Sequence, residues 1–144
     1  MKIRLLIAVV VLVSSTVVGC HFASRNPPTT KTLGVPMADV LNQSDISQSI
    51  TLNVGNTLYV KLGSNYSTPY RWKPDMKVGD SGILKQTDHK FVPPSSDALG
   101  APGTEVWTFT ALTPGTTTIS TTYTSFVGKD TNPACTYTAT VTVQ

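Results

Sequence analysis

An all-β, immunoglobulin-like antiparallel β-sandwich of about seven strands is the fold predicted by this chain of 144 residues. Three observations predict it. Apolar residues alternate with hydroxyl-bearing or charged ones at a period of two through much of residues 46–144. Threonine, β-branched and suited to a solvated pleated face, fills one side of several of these runs. Clusters of Pro, Gly and Asn separate the runs at short intervals. Strands with one wet and one dry face imply sheets stacked face to face.

Taken in order, Ile50, Leu52 and Val54 alternate with Thr51 and Asn53. Gly55-Asn56 gives a turn signal, after which Leu58, Val60 and Leu62 alternate with Tyr59 and Lys61. The pattern predicts two strands paired through a tight turn. Trp72 heads a short third strand that Pro74 interrupts, and Ile83 to Val92 holds one or two weaker strands. Pro93-Pro94 ends them, because proline has no N–H to give a ladder. Trp107, Phe109 and Ala111 then share one face and Thr108 and Thr110 the other, before Thr113-Pro114-Gly115 turns the chain. Ile119, Thr121 and Tyr123 oppose Thr118, Ser120 and Thr122, and Cys135 to Val143 forms the last strand, with threonine at its even positions.

The first residues read as an address label. Lys2 and Arg4 precede the apolar run Leu5 to Val13, and Val17-Val18-Gly19-Cys20 resembles a bacterial lipobox, making residues 1–19 a lipoprotein signal peptide. Cys20 is the expected site of lipidation; a plain cleaved signal is the alternative. A spanning helix needs about 20 apolar residues, more than this run supplies. Residues 20–45, with Asn26-Pro27-Pro28 and little periodicity, are expected to be a lipid-anchored flexible tether containing a short helix around Met37–Leu41. The functional domain is then 46–144. The protein is expected to be exported and membrane-anchored, facing the periplasm from the outer membrane where the organism has two membranes.

Composition narrows the function. The net charge of +3 includes Lys2 and Arg4 of the leader. Without them nine Lys/Arg face eight Asp/Glu, with no basic cluster, so no nucleic-acid partner is expected. Once Cys20 is lipidated, Cys135 stands alone, in phase with Tyr137, Ala139, Val141 and Val143, and reads as a buried thiol. Pairing Cys135 with His89 as nucleophile and base would require an accessible thiol. No zinc or calcium spacing and no phosphate-binding loop occurs, so no metal, cofactor or enzymatic activity is expected.

Three connections remain: Gly63 to Tyr70, Pro93 to Gly103 and Ser125 to Ala134. In a seven-stranded sandwich the B–C and F–G connections lie at one end, where a D–E connection folded against them widens the patch. Asn65-Tyr66-Ser67-Thr68-Pro69-Tyr70, with Trp72 beyond, resembles the Asn-Pro-Thr-Thr-Gly-Tyr/Phe motif and following Trp of chagasin-like inhibitors of papain-family cysteine peptidases. Leu99-Gly100-Ala101-Pro102-Gly103-Thr104-Glu105 is similar to their glycine-rich D–E loop, and Trp107 and Phe109 match its apolar strand. Their Arg-Pro-Trp/Phe motif falls at Ser125-Phe126-Val127, which has no arginine, and Pro69 stands where the first motif has glycine.

The resemblance implies a monomeric competitive inhibitor that blocks the active-site cleft with three loops. Its peptidase-binding residues would be Asn65, Tyr66, Ser67, Thr68, Pro69, Tyr70, Leu99, Gly100, Ala101, Pro102, Gly103, Ser125, Phe126 and Val127. The Ser67–Thr68 tip would enter near the catalytic cysteine. Its partners would be the peptidase and, through the Cys20 lipid, a membrane. A lipid-tethered adhesion or envelope-interaction module of the same fold is the alternative.

Overall fold

The computed structural model describes residues 26–144, so the expected signal peptide at 1–19 and lipidation site at Cys20 lie outside the described residues. The elements in chain order are β1 (Thr30–Val35), α1 (Met37–Asn42), β2 (Asp45–Leu52), β3 (Thr57–Ser64), β4 (Tyr70–Trp72), β5 (Lys77–Val78), β6 (Leu84–Val92), β7 (Gly103–Ala111), β8 (Gly115–Ser125) and β9 (Cys135–Val143). One sheet has the order β1-β3-β7-β6. The other runs β2-β9-β8-β4, with β5 also pairing β8.

The period-two pattern selects the core residues as expected. Leu52, Leu58, Val60, Leu62, Trp107, Phe109, Ile119, Tyr137 and Val141 are fully buried between the sheets. Both tryptophans bury their rings and still place their polar N–H: Trp72 Nε1 donates to the Gly63 carbonyl at 2.9 Å and Trp107 Nε1 to that of Pro74 at 2.7 Å. That satisfaction is what lets an indole enter a dry core.

Three expectations are corrected. The residues flanking Gly55-Asn56 do not form a hairpin. β2 runs parallel to β9 in one sheet, whereas β3 lies between β1 and β7 in the other. The connection crosses from sheet to sheet, with the Val54 N–H on the Gln144 carbonyl (3.0 Å) and the Gly55 N–H on that of Ala111 (2.8 Å). Gly55 has φ +88, a value glycine reaches without strain. Alternation reveals which residues face the core; both sheets face the same core, so it cannot say which sheet a strand joins.

The immunoglobulin-like sandwich is as expected, but its sheets are mixed rather than purely antiparallel, since β1 and β2 each pair in parallel at an edge, and the described residues hold nine strands, β1 and the two-residue β5 being those not expected. Finally, the first element among the described residues, β1 from Thr30, falls inside the stretch 20–45 expected to be tether. β1 pairs with β3 from Thr30↔Thr57 to Val35↔Leu62. α1, where the short helix was expected, buries Val40 and packs so closely over β3 that a Cβ on Gly63 would lie 2.4 Å from the Met37 nitrogen.

A chain starting at residue 46 should therefore be less stable than one starting at residue 26. It loses the buried side chains of Val35 and Val40, each contributing roughly 1.5–3 kcal/mol. Denaturant unfolding of the two would measure a deficit of about 3–6 kcal/mol; equal midpoints would make β1 and α1 dispensable.

Candidate functional site

Strand register brings three loops to one end of the sandwich. Ser64, closing β3, pairs with Gly103, opening β7, and Tyr70, opening β4, pairs with Ser125, closing β8. The loops 65–69, 93–102 and 126–134 therefore emerge side by side. They also touch: Asn65 Nδ2 donates to the Gly100 carbonyl at 3.0 Å, and the Phe126 N–H to the Pro69 carbonyl at 3.0 Å.

The first loop is a self-braced turn. Asn65 Oδ1 accepts the Ser67 N–H at 3.0 Å, and the Asn65 carbonyl accepts both the Thr68 N–H (3.1 Å) and the Thr68 hydroxyl (2.8 Å). Ser67 is consequently the exposed tip, whereas Thr68 is half-buried with its hydroxyl turned inward. Pro69 fits without strain, since no residue other than glycine has a positive φ among the described residues. Tyr70 turns toward the core, stacked on Tyr123 at 5.6 Å between ring centroids.

In the second loop Leu99 is fully exposed and Gly100 takes φ +76. The Ala101 N–H closes the turn on the Ala98 carbonyl at 3.2 Å, and Pro102 is exposed. Gly103, expected among the binding residues, is instead buried as the first residue of β7. Its missing Cβ makes room for Phe91, whose ring would otherwise lie 2.4 Å away. In the third loop Ser125 Oγ accepts the Val127 N–H at 3.1 Å and donates to its carbonyl at 2.9 Å, leaving Phe126 and Val127 two-thirds exposed.

Glu105 anchors this end from inside. Only 1% exposed, it accepts from the Tyr66 hydroxyl at 2.8 Å and the Ser64 hydroxyl at 3.4 Å on Oε1, and meets His89 Nε2 at 2.6 Å on Oε2. Burial, then the hydrogen bond to Glu105 and the charge of its carboxylate, push the Tyr66 phenol up from 10.0 to about 12, with Arg71 pulling the other way. Sequence reasoning missed both His89 in this role and Arg71. Arg71 donates to the carbonyls of Thr68 (2.6 Å), Tyr70 (2.7 Å) and Tyr66 (3.1 Å).

Catalytic arrangements do not assemble. Cys135 is fully buried in the second sheet, its thiol pushed up by burial and then by Asp45, while His89 lies in the first sheet with Nε2 engaged by Glu105. No group of three or more His, Cys, Asp or Glu able to hold a metal occurs among the described residues. What the end offers is a set of loops bonded to one another that display the apolar side chains of Leu99, Phe126 and Val127.

The sequence model of the chagasin family of peptidase inhibitors (I42) matches residues 51–141, a span that contains all three loops. The chain belongs to the chagasin family. It is 28% identical to chagasin of Trypanosoma cruzi over 89 residues, 60% of this chain and 81% of that protein. Among solved structures it is similar to the cysteine protease inhibitor EhICP2 of Entamoeba histolytica, with a TM-score of 0.61 and 19% identity over 83% of this chain and all of that one. PbICP-C, solved in complex with falcipain-2, gives a TM-score of 0.56 and 22% identity, covering 81% of this chain and 99% of that one. At those identities the two structures establish the shared sandwich fold. Membership in the chagasin family makes the chain an inhibitor rather than an enzyme.

The Glu105 contacts set a pH signature. Because the folded-state value of Tyr66 is raised, its contribution to stability is intact below pH 10 and is lost as pH rises through about 12. Phenolate absorbance should show one tyrosine ionising near pH 12 that Tyr66→Phe removes. Glu105→Gln should lower that value without restoring 10.0, since burial is the larger cause. It should also cost about 1–3 kcal/mol in denaturant unfolding, because one of two engaged oxygens becomes a donor. An unshifted Tyr66 in the Gln variant would detach Glu105 from the loop.

Proposed function

We propose that the protein inhibits papain-like cysteine peptidases by filling their active-site cleft with the three loops, Ser67 leading and Leu99 and Phe126–Val127 flanking it. Membership in the chagasin family supports the activity, and the loop geometry supports the mode. The observation that carries it is the cross-bracing of loops that expose apolar side chains: Leu99 is fully exposed and Phe126 two-thirds exposed, yet the Gly100 carbonyl accepts from the Asn65 side-chain amide and the Phe126 N–H donates to the Pro69 carbonyl. Large side chains on a prearranged backbone lose little conformational freedom on docking. Three loops of this size are compatible with the roughly 1,600 Å² that protease–inhibitor pairs commonly bury.

Resistance to cleavage follows from the same hydrogen bonds. A peptidase hydrolyses a peptide laid out in extended form, with its carbonyl presented to the catalytic thiolate. Here the Ser67 and Thr68 N–H groups both fold back onto Asn65, and pulling the tip straight would break those bonds together. The tip fills the cleft without offering an aligned carbonyl. Glu105, Arg71 and the strand register hold it in that state. The adhesion reading gains no support from any feature of this face.

Export and anchoring complete the proposal. The signal peptide at 1–19 and lipid at Cys20 would place the domain on a membrane surface, where it meets peptidases entering the compartment. The Cys20 variant Cys20→Ala should then release the protein from the membrane fraction; retention of that variant by the membrane would refute lipid anchoring.

Titrating papain with the wild-type chain should remove activity stoichiometrically. Ser67→Arg, at the exposed tip, should raise the inhibition constant by more than about 100-fold, equivalent to roughly 3 kcal/mol, with thermal melting unchanged. Thr68 is the poorer probe because its hydroxyl holds the turn. Full inhibition by Ser67→Arg would take the first loop out of the cleft.

A further inference from the structure

Four side chains from four segments form a column across the inhibitory end. The Phe91 ring, from β6, stacks on Tyr66 of the first loop with centroids 3.8 Å apart and planes 9° from parallel. The Arg71 guanidinium, from β4, lies 3.9 Å from the Tyr66 centroid. One face of a ring cannot hold both at such distances, so Tyr66 is sandwiched between them. The same guanidinium lies 5.2 Å from the centroid of Phe126 in the third loop, within the range of a cation–π contact.

Arg71 is the member that joins the halves. Its Nη1 donates to the carbonyls of Thr68 and Tyr70 and its Nη2 to that of Tyr66, so one planar group gathers three carbonyls of the first loop. Hydrogen bonds from a charged donor are the stronger kind. A guanidinium can make them from a fixed fork while stacking on aromatic faces; an ammonium, a point donor on a flexible stem, cannot do both. The β4 register leaves Arg71 free for this, because its neighbours Tyr70 and Trp72 turn inward to stack against Tyr123.

We propose that Arg71 is a positioning residue of the inhibitor: through the Phe91–Tyr66–Arg71–Phe126 column it locks the first loop and the Phe126 anchor into one preset surface. The effect on inhibition rests on the cleft-filling function above. The column itself does not, and it is measurable on the protein alone.

The test compares wild type, Arg71→Ala and Arg71→Lys, and adds Phe126→Ala alone and combined with Arg71→Ala. Amide exchange is read at Thr68, whose N–H closes the first loop on the Asn65 carbonyl, and at Phe126, whose N–H bonds across to Pro69; inhibition is read against papain. Arg71→Ala should lose protection at both amides and weaken inhibition about 10- to 100-fold, the scale of losing charged hydrogen bonds, chiefly through faster dissociation. Arg71→Lys should not rescue either readout, and in the Phe126→Ala background the loss from Arg71→Ala should shrink. Wild-type protection in Arg71→Ala overturns the proposal, as does full rescue by lysine, additive losses with Phe126→Ala, or unchanged inhibition despite lost protection. A wild-type chain that fails to inhibit papain while Arg71→Ala still loses protection refutes the proposed function and supports the column.

Discussion

A carboxylate sealed from water must find donors, and the inhibitory end of this sandwich is arranged around meeting that need at Glu105. The donors come from separate elements: Ser64 closes β3, Tyr66 lies in the first loop, and His89 sits on β6. Satisfying one side chain on β7 thus fastens the root of the first loop to the first sheet. Everything further out inherits that position. With its hydroxyl held, the Tyr66 ring lies flat on Phe91, and Phe91 can reach it only because Gly103 carries no Cβ. The two glycines of the family-like segment therefore do unlike jobs: Gly100, in the second loop, reaches a backbone angle other residues resist, and Gly103, opening β7, vacates space for a ring.

Stability and display are separated along the same strands. Inner positions such as Leu62, Trp107 and Tyr123 are sealed in the core, while the chain a few residues beyond them exposes Leu99, Phe126 and Val127. Exposed apolar side chains add nothing to folding and invite aggregation when they lie on a strand edge. Here they sit on loops rather than on a strand edge, with the Phe126 N–H bonded to Pro69 and both backbone groups of Val127 bonded to the Ser125 hydroxyl, so they offer contact area away from an edge that could template pairing. An inhibitor needs that combination: area enough to occupy a groove, and a backbone too committed to become a substrate.

How much of this was legible in the sequence depends on what kind of information each feature carries. The strands from Trp107 onward could be read because Phe109, Ile119, Tyr137 and Val141 recur at a strict period of two against threonine. β1 could not. Of its six residues only Val35 is buried and Leu33 half-buried, so Thr30–Val35 carries no alternation and looks like linker. The partnering of β2 with β9 was equally invisible, since facing the core is a property of one strand and choosing a neighbour is a property of two. At the site, Ser67, Leu99, Phe126 and Val127 lie exposed on the loops that carry the motifs, whereas Thr68 turns its hydroxyl inward, Tyr70 faces the core and Gly103 is buried in β7. Arg71 and His89 were missed because their roles arise from loops folding over them, which no local pattern encodes.

Pro69 shows why departure from a family motif need not loosen the site. Glycine at that position of the family motif would admit a left-handed backbone, but this loop uses no positive φ at any non-glycine residue. Proline therefore costs the fold nothing sterically and narrows the unfolded chain's freedom. It also has no N–H to satisfy, while its carbonyl, accepting from Phe126, makes the joint between the first and third loops. The third loop, lacking the motif's arginine, is held by that backbone bond and by the Arg71 guanidinium beside its phenylalanine. Rigidity at this end thus comes from contacts between loops more than from the identity of any one motif residue. That is how a chain 28% identical to chagasin can depart at Pro69 and at Ser125–Val127 and still present a single braced face.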